Sequence, residues 1–296
     1  MKNILGAIGN TPIVKLQKIT PLGCGEVYVK LEANNPTGSK KDRMALSMIE
    51  GMSVVEYSGG STGAGLALVC GIKGYRFKLI TADVFGNEKI ALMRALGADL
   101  EILKSEDGKI TRELISKMIQ RAEEISVEPN TFFTDQLNNS DVIEGFVPLG
   151  EEILQQLDGK VDAICDTIGT AGTLMGIAKS FKDKGVNSKI VALEPASSPI
   201  LSKGIKGAHN VEGVGLGFIP AIYNSKYFDD VIAIEESLAR QTCKELASKE
   251  GIFCGTSSGM NVAGAIKLSK SLGPKSKVVA VACDTGLKYL SEGLFY

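Results

Sequence analysis

VDAICDTIGTAGT, residues 161–173, carries a β-branched apolar run straight into a turn of glycines and threonines. Its first eight residues have the make-up of a buried strand, and the small residues behind them suit a tight strand-to-helix turn. Five further runs share the character: VYVKLE (27–32), VVEYS (54–58), FKLITA (77–82), KIVALEP (189–195) and KVVAVAC (277–283). Between them lie helix-like stretches such as NEKIALMRALGA (87–98), whose apolar residues recur at helical spacing up to Gly97, a plausible helix stop. Such alternation builds a mostly parallel sheet covered by helices on both faces, so the predicted class is α/β. After the helix suggested by KKDRMALSMIE, only Gly51, Met52 and Ser53 precede the next strand, a tight connection.

The wider composition narrows the function. The 296 residues are 44% hydrophobic and 23% charged, enough apolar material for a large core in one or two domains. With 33 basic and 34 acidic residues the net charge is −1, so no overall field favours nucleic acid or an anionic membrane, and neither partner is expected. There is no apolar run long enough for a bilayer and no signal-peptide cleavage site, which predicts a cytoplasmic protein. The six cysteines form no CxxC pair and several sit in apolar runs, as expected of reduced core thiols. His209 is the single histidine, which excludes a His-rich zinc site and points to a catalytic base of another type; no metal is expected.

Three glycine-rich turns sit between a strand and a helix: SGGSTG (58–63), GTAGT (169–173) and CGTSSG (254–259). In parallel sheets ligands bind where such turns meet helix N-termini. None is a GxxxxGK[ST] or GxGxxG motif, so a nucleotide is not indicated. GTAGT can converge N–H groups on a phosphate, or it can be a turn that binds nothing. SGGSTG suits a carboxylate or a second phosphate, with a plain glycine turn as the alternative, and Ser257 and Ser258 in CGTSSG suit an N-cap. Read alone, the lysine pair of GSKKD (38–42) is a solvated helix start. Behind a Pro-Thr-Gly-Ser turn that Ser39 could cap, however, a first-turn lysine feels the positive helix end, which disfavours its charged form and suits a Schiff base.

LGAIGNTPIVKL, LEANNPTGSKKDR, SGGSTGAGLA, GTAGTLMG, VEGVGLGFIP, GIFCGTSSGMNVAGA and CDTGLKYLS occur in this order over nearly the whole chain. Together they resemble the pyridoxal-phosphate-dependent cysteine synthase (O-acetylserine sulfhydrylase) and cystathionine β-synthase family. The resemblance implies a fold-type II, tryptophan synthase β-like architecture of two three-layer α/β domains with pyridoxal 5'-phosphate in the cleft between them. The smaller domain would span 34–138 and the larger would join 1–33 to 139–296. A homodimer is also implied.

The same resemblance implies that Lys41, which precedes Asp-Arg, bears the cofactor as a Schiff base and moves the Cα proton. Lys40 is left as a neighbour without an assigned role. The phosphate loop falls on Gly169, Thr170, Ala171, Gly172 and Thr173, with alanine at 171 where glycine is more usual. Ser257 would face the pyridine nitrogen. The substrate loop, commonly Thr-Ser-Gly-Asn-Thr-Gly, here reads Ser58, Gly59, Gly60, Ser61, Thr62, Gly63, so Ser61 replaces the asparagine that meets the cofactor's 3′-oxygen and Gly59 replaces a carboxylate-gripping serine. Gln136 would lie near the substrate carboxylate, and Gly213 would line the mouth. The interval from Lys41 to Ser58 is shorter than the family norm. The implied reaction is β-replacement on an activated serine of the O-acetylserine type with sulfide, through an α-aminoacrylate, to give L-cysteine. Its alternatives are a cystathionine β-synthase-like or cysteine-consuming, hydrogen sulfide-releasing reaction, and a noncatalytic amino-acid-binding homologue. The chain starts at the fold and stops soon after CDTGLKYLS, without a haem-binding extension or regulatory modules, which favours cysteine synthase among these.

Overall fold

The structure, a computed structural model, describes residues 2–49, 53–108 and 111–295. The short connection predicted at Gly51 and Met52 lies outside them. Ten strands are described: β1 (Ile13–Lys15), β2 (Glu26–Leu31), β3 (Ser53–Tyr57), β4 (Arg76–Ala82), β5 (Asp99–Leu103), β6 (Thr131–Phe133), β7 (Ala163–Thr167), β8 (Lys189–Pro195), β9 (Asp230–Ile234) and β10 (Lys277–Ala282). The helices are α1 (Lys41–Met48), α2 (Ser61–Lys73), α3 (Asn87–Ala95), α4 (Arg112–Ser126), α5 (Asp141–Glu144), α6 (Val147–Gln156), α7 (Gly172–Asp183), α8 (Ile200–Lys203), α9 (Glu236–Glu245) and α10 (Thr256–Leu272).

The strands form two sheets, one ordered β1-β2-β10-β7-β8-β9 and the other β5-β4-β3-β6. The expected α/β class holds: among the described pairings only β1 with β2 is antiparallel. Parallel neighbours need crossover helices, and these cover both faces of their strands, which is why β7 is buried along all five residues and β10 along its last five. The helix expected at 87–98 closes at Ala95, and Gly97 follows in a left-handed conformation (φ +93°).

One apolar cluster joins the two sheets. Val54, Leu66 and Leu79 on the four-stranded side meet Met44 and Met48 of α1, which continue into Phe146, Leu149 and Ile164 on the six-stranded side. Burying Met44 and Met48 contributes about 2–3 kcal/mol each and holds α1 between the layers. Two carboxylates interrupt the apolar strands: Glu56 in β3 and Asp166 in β7 are both fully buried. A buried charge is costly unless paired, so these positions mark where the fold serves something other than packing.

Candidate active site

The segment entering α1 is pinned to the end of β10. Lys40 N–H donates to the Cys283 carbonyl at 2.8 Å, and Thr285 N–H donates to the Gly38 carbonyl at 2.9 Å. Gly38 has φ +73°, and a Cβ there would lie 2.8 Å from Thr285 Cγ2, so a side chain is excluded on both counts. Ser39 Oγ accepts from Lys41 N–H at 3.2 Å, close to its expected capping role, although the residue at the cap position is Lys40. Asp42 accepts from Thr37 N–H at 2.8 Å and from the Thr37 hydroxyl. Arg43 spans Glu32 (2.7 and 2.9 Å) and Glu152 (2.8 Å from each of two nitrogens). The residues after Lys41 are therefore fixed by buried charge-assisted bonds.

Neither lysine is simply solvated. Lys40 is 8% exposed and pairs with Asp166 at 2.7 Å. Lys41 is half-buried, and its amine makes no hydrogen bond or ion pair with any described residue. Burial, and next the neighbouring Lys40 ammonium, depress its pKa to about 8, while Cys283, Asp166 and Asp284 pull the other way.

The 169–173 loop joins β7 to α7. A Cβ on Gly169 would fall 2.1 Å from the Gly213 carbonyl oxygen, so glycine is what allows the 213–215 segment to lie against the loop, where Gly215 N–H donates to the Ile168 carbonyl at 3.0 Å. Gly213 is thus beside the phosphate-loop candidate. Ala171 adopts φ +71°, a conformation in which glycine is the easier residue. The N–H groups of Thr170, Ala171, Thr173 and Leu174 meet no acceptor among the described residues, and Gly172 N–H has only the Thr170 hydroxyl at 3.4 Å. Unpaired donors at a helix N-terminus form an anion site.

In the 58–63 loop, Ser58 Oγ accepts from the N–H groups of Gly60 and Gly63, both at 3.1 Å, and so closes its own turn. A Cβ on Gly59 would lie 2.4 Å from the Phe85 ring, which accounts for the missing serine: an aromatic ring fills its place. The Thr62 hydroxyl donates to Gln136 Oε1 at 2.8 Å, and Gln136 Nε2 donates to the Tyr57 carbonyl at 3.1 Å. The N–H groups of Ser61 and Thr62 have no acceptor among the described residues. Ser61 Oγ accepts from Lys288 Nζ at 3.1 Å and lies 3.5 Å from Asp284 Oδ2, which takes the Tyr289 hydroxyl at 2.6 Å. Asp284 Oδ1 is buried without a partner.

Ser257 is buried in the first turn of α10. Five of the six cysteines are buried and none is bonded to another. Half-buried His209 holds the glycine-rich segment, its Nε2 3.0 Å from the Gly215 carbonyl. No group of three or more His, Cys, Asp or Glu side chains is placed to hold a metal among the described residues. Lys41, Ser61, Ser257 and the 169–173 turn all sit at helix starts beyond strand ends. The sequence reading gave no part to Asp166, Asn261, Asp284 or Lys288, although CDTGLKYLS and GTSSGMN contain three of them.

A family model described as "Pyridoxal-phosphate dependent enzyme" matches residues 4–284. The chain belongs to the pyridoxal-phosphate-dependent enzyme family. Within it, the chain is 38% identical to a cysteine synthase of Staphylococcus aureus, over 99% of this chain and 96% of that one. It is also 38% identical to cysteine synthase B of Escherichia coli K12, over 100% and 96%. Among solved structures, a cysteine synthase (OASS) from Entamoeba histolytica superposes with a TM-score of 0.92 at 30% identity, covering 100% of this chain and 90% of that one. A hydrogen sulfide-producing enzyme from Fusobacterium nucleatum gives 0.88 at 36% identity, covering 98% and 100%. These likenesses establish the fold-type II architecture and a pyridoxal phosphate-dependent enzyme. The site fits that cofactor: an amine without a partner, and four unpaired N–H groups at one helix start to receive a phosphate.

Proposed function

We propose that the chain is a cysteine synthase that replaces the β-substituent of an activated serine of the O-acetylserine type with sulfide. The observation that carries this is Lys41: a tethered, partly buried amine with no partner and a pKa near 8. When bound, pyridoxal phosphate withdraws electrons from the Cα of an attached amino acid, so that the Cα proton and a leaving group on Cβ can be lost. Lys41 would hold the cofactor through its amine and, once released, would take the Cα proton and later return it; a pKa near 8 matches a base working close to neutral pH.

The N–H groups of residues 170–174 and the hydroxyls of Thr170 and Thr173 would hold the phosphate, the N–H groups being without backbone acceptors. Ser257 would meet the ring nitrogen with a neutral hydroxyl, and Ser61, which accepts from Lys288, would meet the 3′-oxygen. The unpaired N–H groups of Ser61 and Thr62 and the second proton of the Gln136 side-chain amide would take the substrate carboxylate, with the Thr62 hydroxyl orienting Gln136, while Ser58, Gly59 and Gly60 shape the turn that presents them. Gly213 borders the mouth. In this reading residues 34–138 form a unit that closes against the rest and keeps water from the reacting carbon. We further propose a homodimer working in the reducing cytoplasm, a setting in keeping with buried unpaired thiols. No described helix is long and apolar enough to cross a membrane.

A second reading, cysteine consumption with hydrogen sulfide release, is supported by the 36% identity to the Fusobacterium enzyme and by Gly59 and Ser61 in the substrate loop. Purified protein assayed side by side with O-acetylserine plus sulfide and with cysteine alone separates the two. The proposal expects the first kcat/KM to exceed the second by at least about tenfold; the reverse order rejects it.

A further inference from the structure

Lys40 is a buried charge beside the site that the proposed reaction leaves unused. Its ammonium is 2.7 Å from Asp166, whose side chain is fully buried, while the Lys40 side chain keeps 9% of its exposure. The other Asp166 oxygen accepts from Asn261 Nδ2. Asn261 is itself fixed, donating to the Val281 carbonyl and accepting from Thr167 N–H, both at 2.8 Å, with the Cys283 sulfur 3.3 Å from its amide. The carboxylate is therefore locked from β7, α10 and β10, and it locks Lys40 in turn.

Buried ion pairs of this kind are commonly no better for stability than apolar residues of similar volume, so packing alone gives no reason for one here. Its placement does. Lys40 is the residue immediately before Lys41, and the pair presents its ammonium end, not its carboxylate, on the less buried side. The charged and titratable groups facing Lys41 are Lys40 from its own segment, Asp166 from β7, and Cys283 and Asp284 from the end of β10.

We propose that Lys40 is a positioning residue for Lys41: held by Asp166, its fixed ammonium occupies that carboxylate and leaves the Lys41 amine without a partner. This rests on Lys41 being the cofactor-bearing lysine. The lowered pKa of Lys41 is in keeping with it, Lys40 acting after burial and ahead of Asp166. Lys40 itself is shifted upward by Asp166 against the effect of burial, so it stays charged and does not compete for the cofactor.

The test is trace acetylation of the full-length, cofactor-free protein across pH, with each lysine quantified by mass spectrometry against exposed Lys104. Wild-type Lys41 should label with a midpoint near pH 8. Lys40→Met, which exposes Lys41 to the unpaired Asp166, should raise that midpoint by about one unit or more, roughly a tenfold slower reaction at pH 7. Lys40→Arg keeps the charge and should stay within about twofold of wild type. Should Lys40→Met fail to fold, the double variant Lys40→Met/Asp166→Asn removes both charges of the pair and should still label about threefold more slowly. Wild-type labelling in Lys40→Met (or in the double variant, if that carries the test), or an equal loss in Lys40→Arg, would overturn the proposal. Failure of the cofactor assignment would show separately, as borohydride-fixed cofactor on a residue other than Lys41.

Discussion

Replacing Gly169 by alanine tests the phosphate loop most sharply, because the obstacle is backbone. The new methyl would stand 2.1 Å from the Gly213 carbonyl oxygen, where ordinary contact begins near 3.4 Å, so the two segments must part by more than 1 Å. Moving packed backbone by that much costs about 1–3 kcal/mol, and losing the Gly215-to-Ile168 hydrogen bond adds about 1 kcal/mol. If the loop takes up the whole strain, cofactor affinity falls by roughly 30- to 700-fold at 1.4 kcal/mol per decade. If part is absorbed by the fold, the melting temperature falls instead. Titration of the cofactor-free protein with pyridoxal phosphate, followed by its visible absorbance, and a thermal melt together capture both. Ala171→Gly is the control: it relaxes the φ of +71°, which costs alanine about 1 kcal/mol, and should bind the cofactor within about threefold of wild type. A Gly169→Ala protein with unchanged affinity and unchanged melting would refute the close approach on which the reasoning depends.

Three other outcomes follow from the same geometry. Arg43→Met leaves buried Glu32 without its cation and Glu152 with Lys30 alone, and should lower stability by about 3–5 kcal/mol, on the order of 6–15 °C in a thermal melt; a drop under about 2 °C contradicts the network's role. Glu56 has its pKa raised to about 7, chiefly by burial, against 4.5 unperturbed. Its contribution is fully present below the unperturbed value and is lost as pH rises through 7, so the unfolding free energy from urea melts should fall between pH 5 and 8 by up to about 3 kcal/mol, and Glu56→Gln should flatten that slope. Gly59→Ser forces the new side chain into Phe85 and should raise the substrate KM, with partial recovery in Gly59→Ser/Phe85→Ala; equal KM values in all three proteins would remove Phe85 from the account.

Much of the fold was legible because the buried parallel strands are long apolar runs. KIVALEP was placed at its observed bounds, and the other five runs lie within a residue or two of theirs. The strands that escaped lack that signal. TFF is only three residues long, IVK pairs at an edge, and DLEIL and DVIAI begin with aspartate and leave part of their length open to water. At the site, glycine, serine and threonine turns announced themselves because helix starts that bind anions need small residues. What stayed hidden were partners distant in the chain: Asp166 lies 126 positions from Lys40, and nothing local in either segment ties one to the other. The solvated reading of Lys40 failed for that reason. The alanine at 171 stands out in the sequence only as a departure from glycine, and the backbone, at φ +71°, shows its conformational cost.

The central claim is that one particular amine carries the cofactor. Borohydride reduction of the protein loaded with pyridoxal phosphate, followed by peptide mapping, measures it directly: the account predicts the pyridoxyl group on Lys41 and none on Lys40, with Lys41→Ala unlabelled and inactive. Label on Lys40, or on neither lysine of the pair, would contradict it.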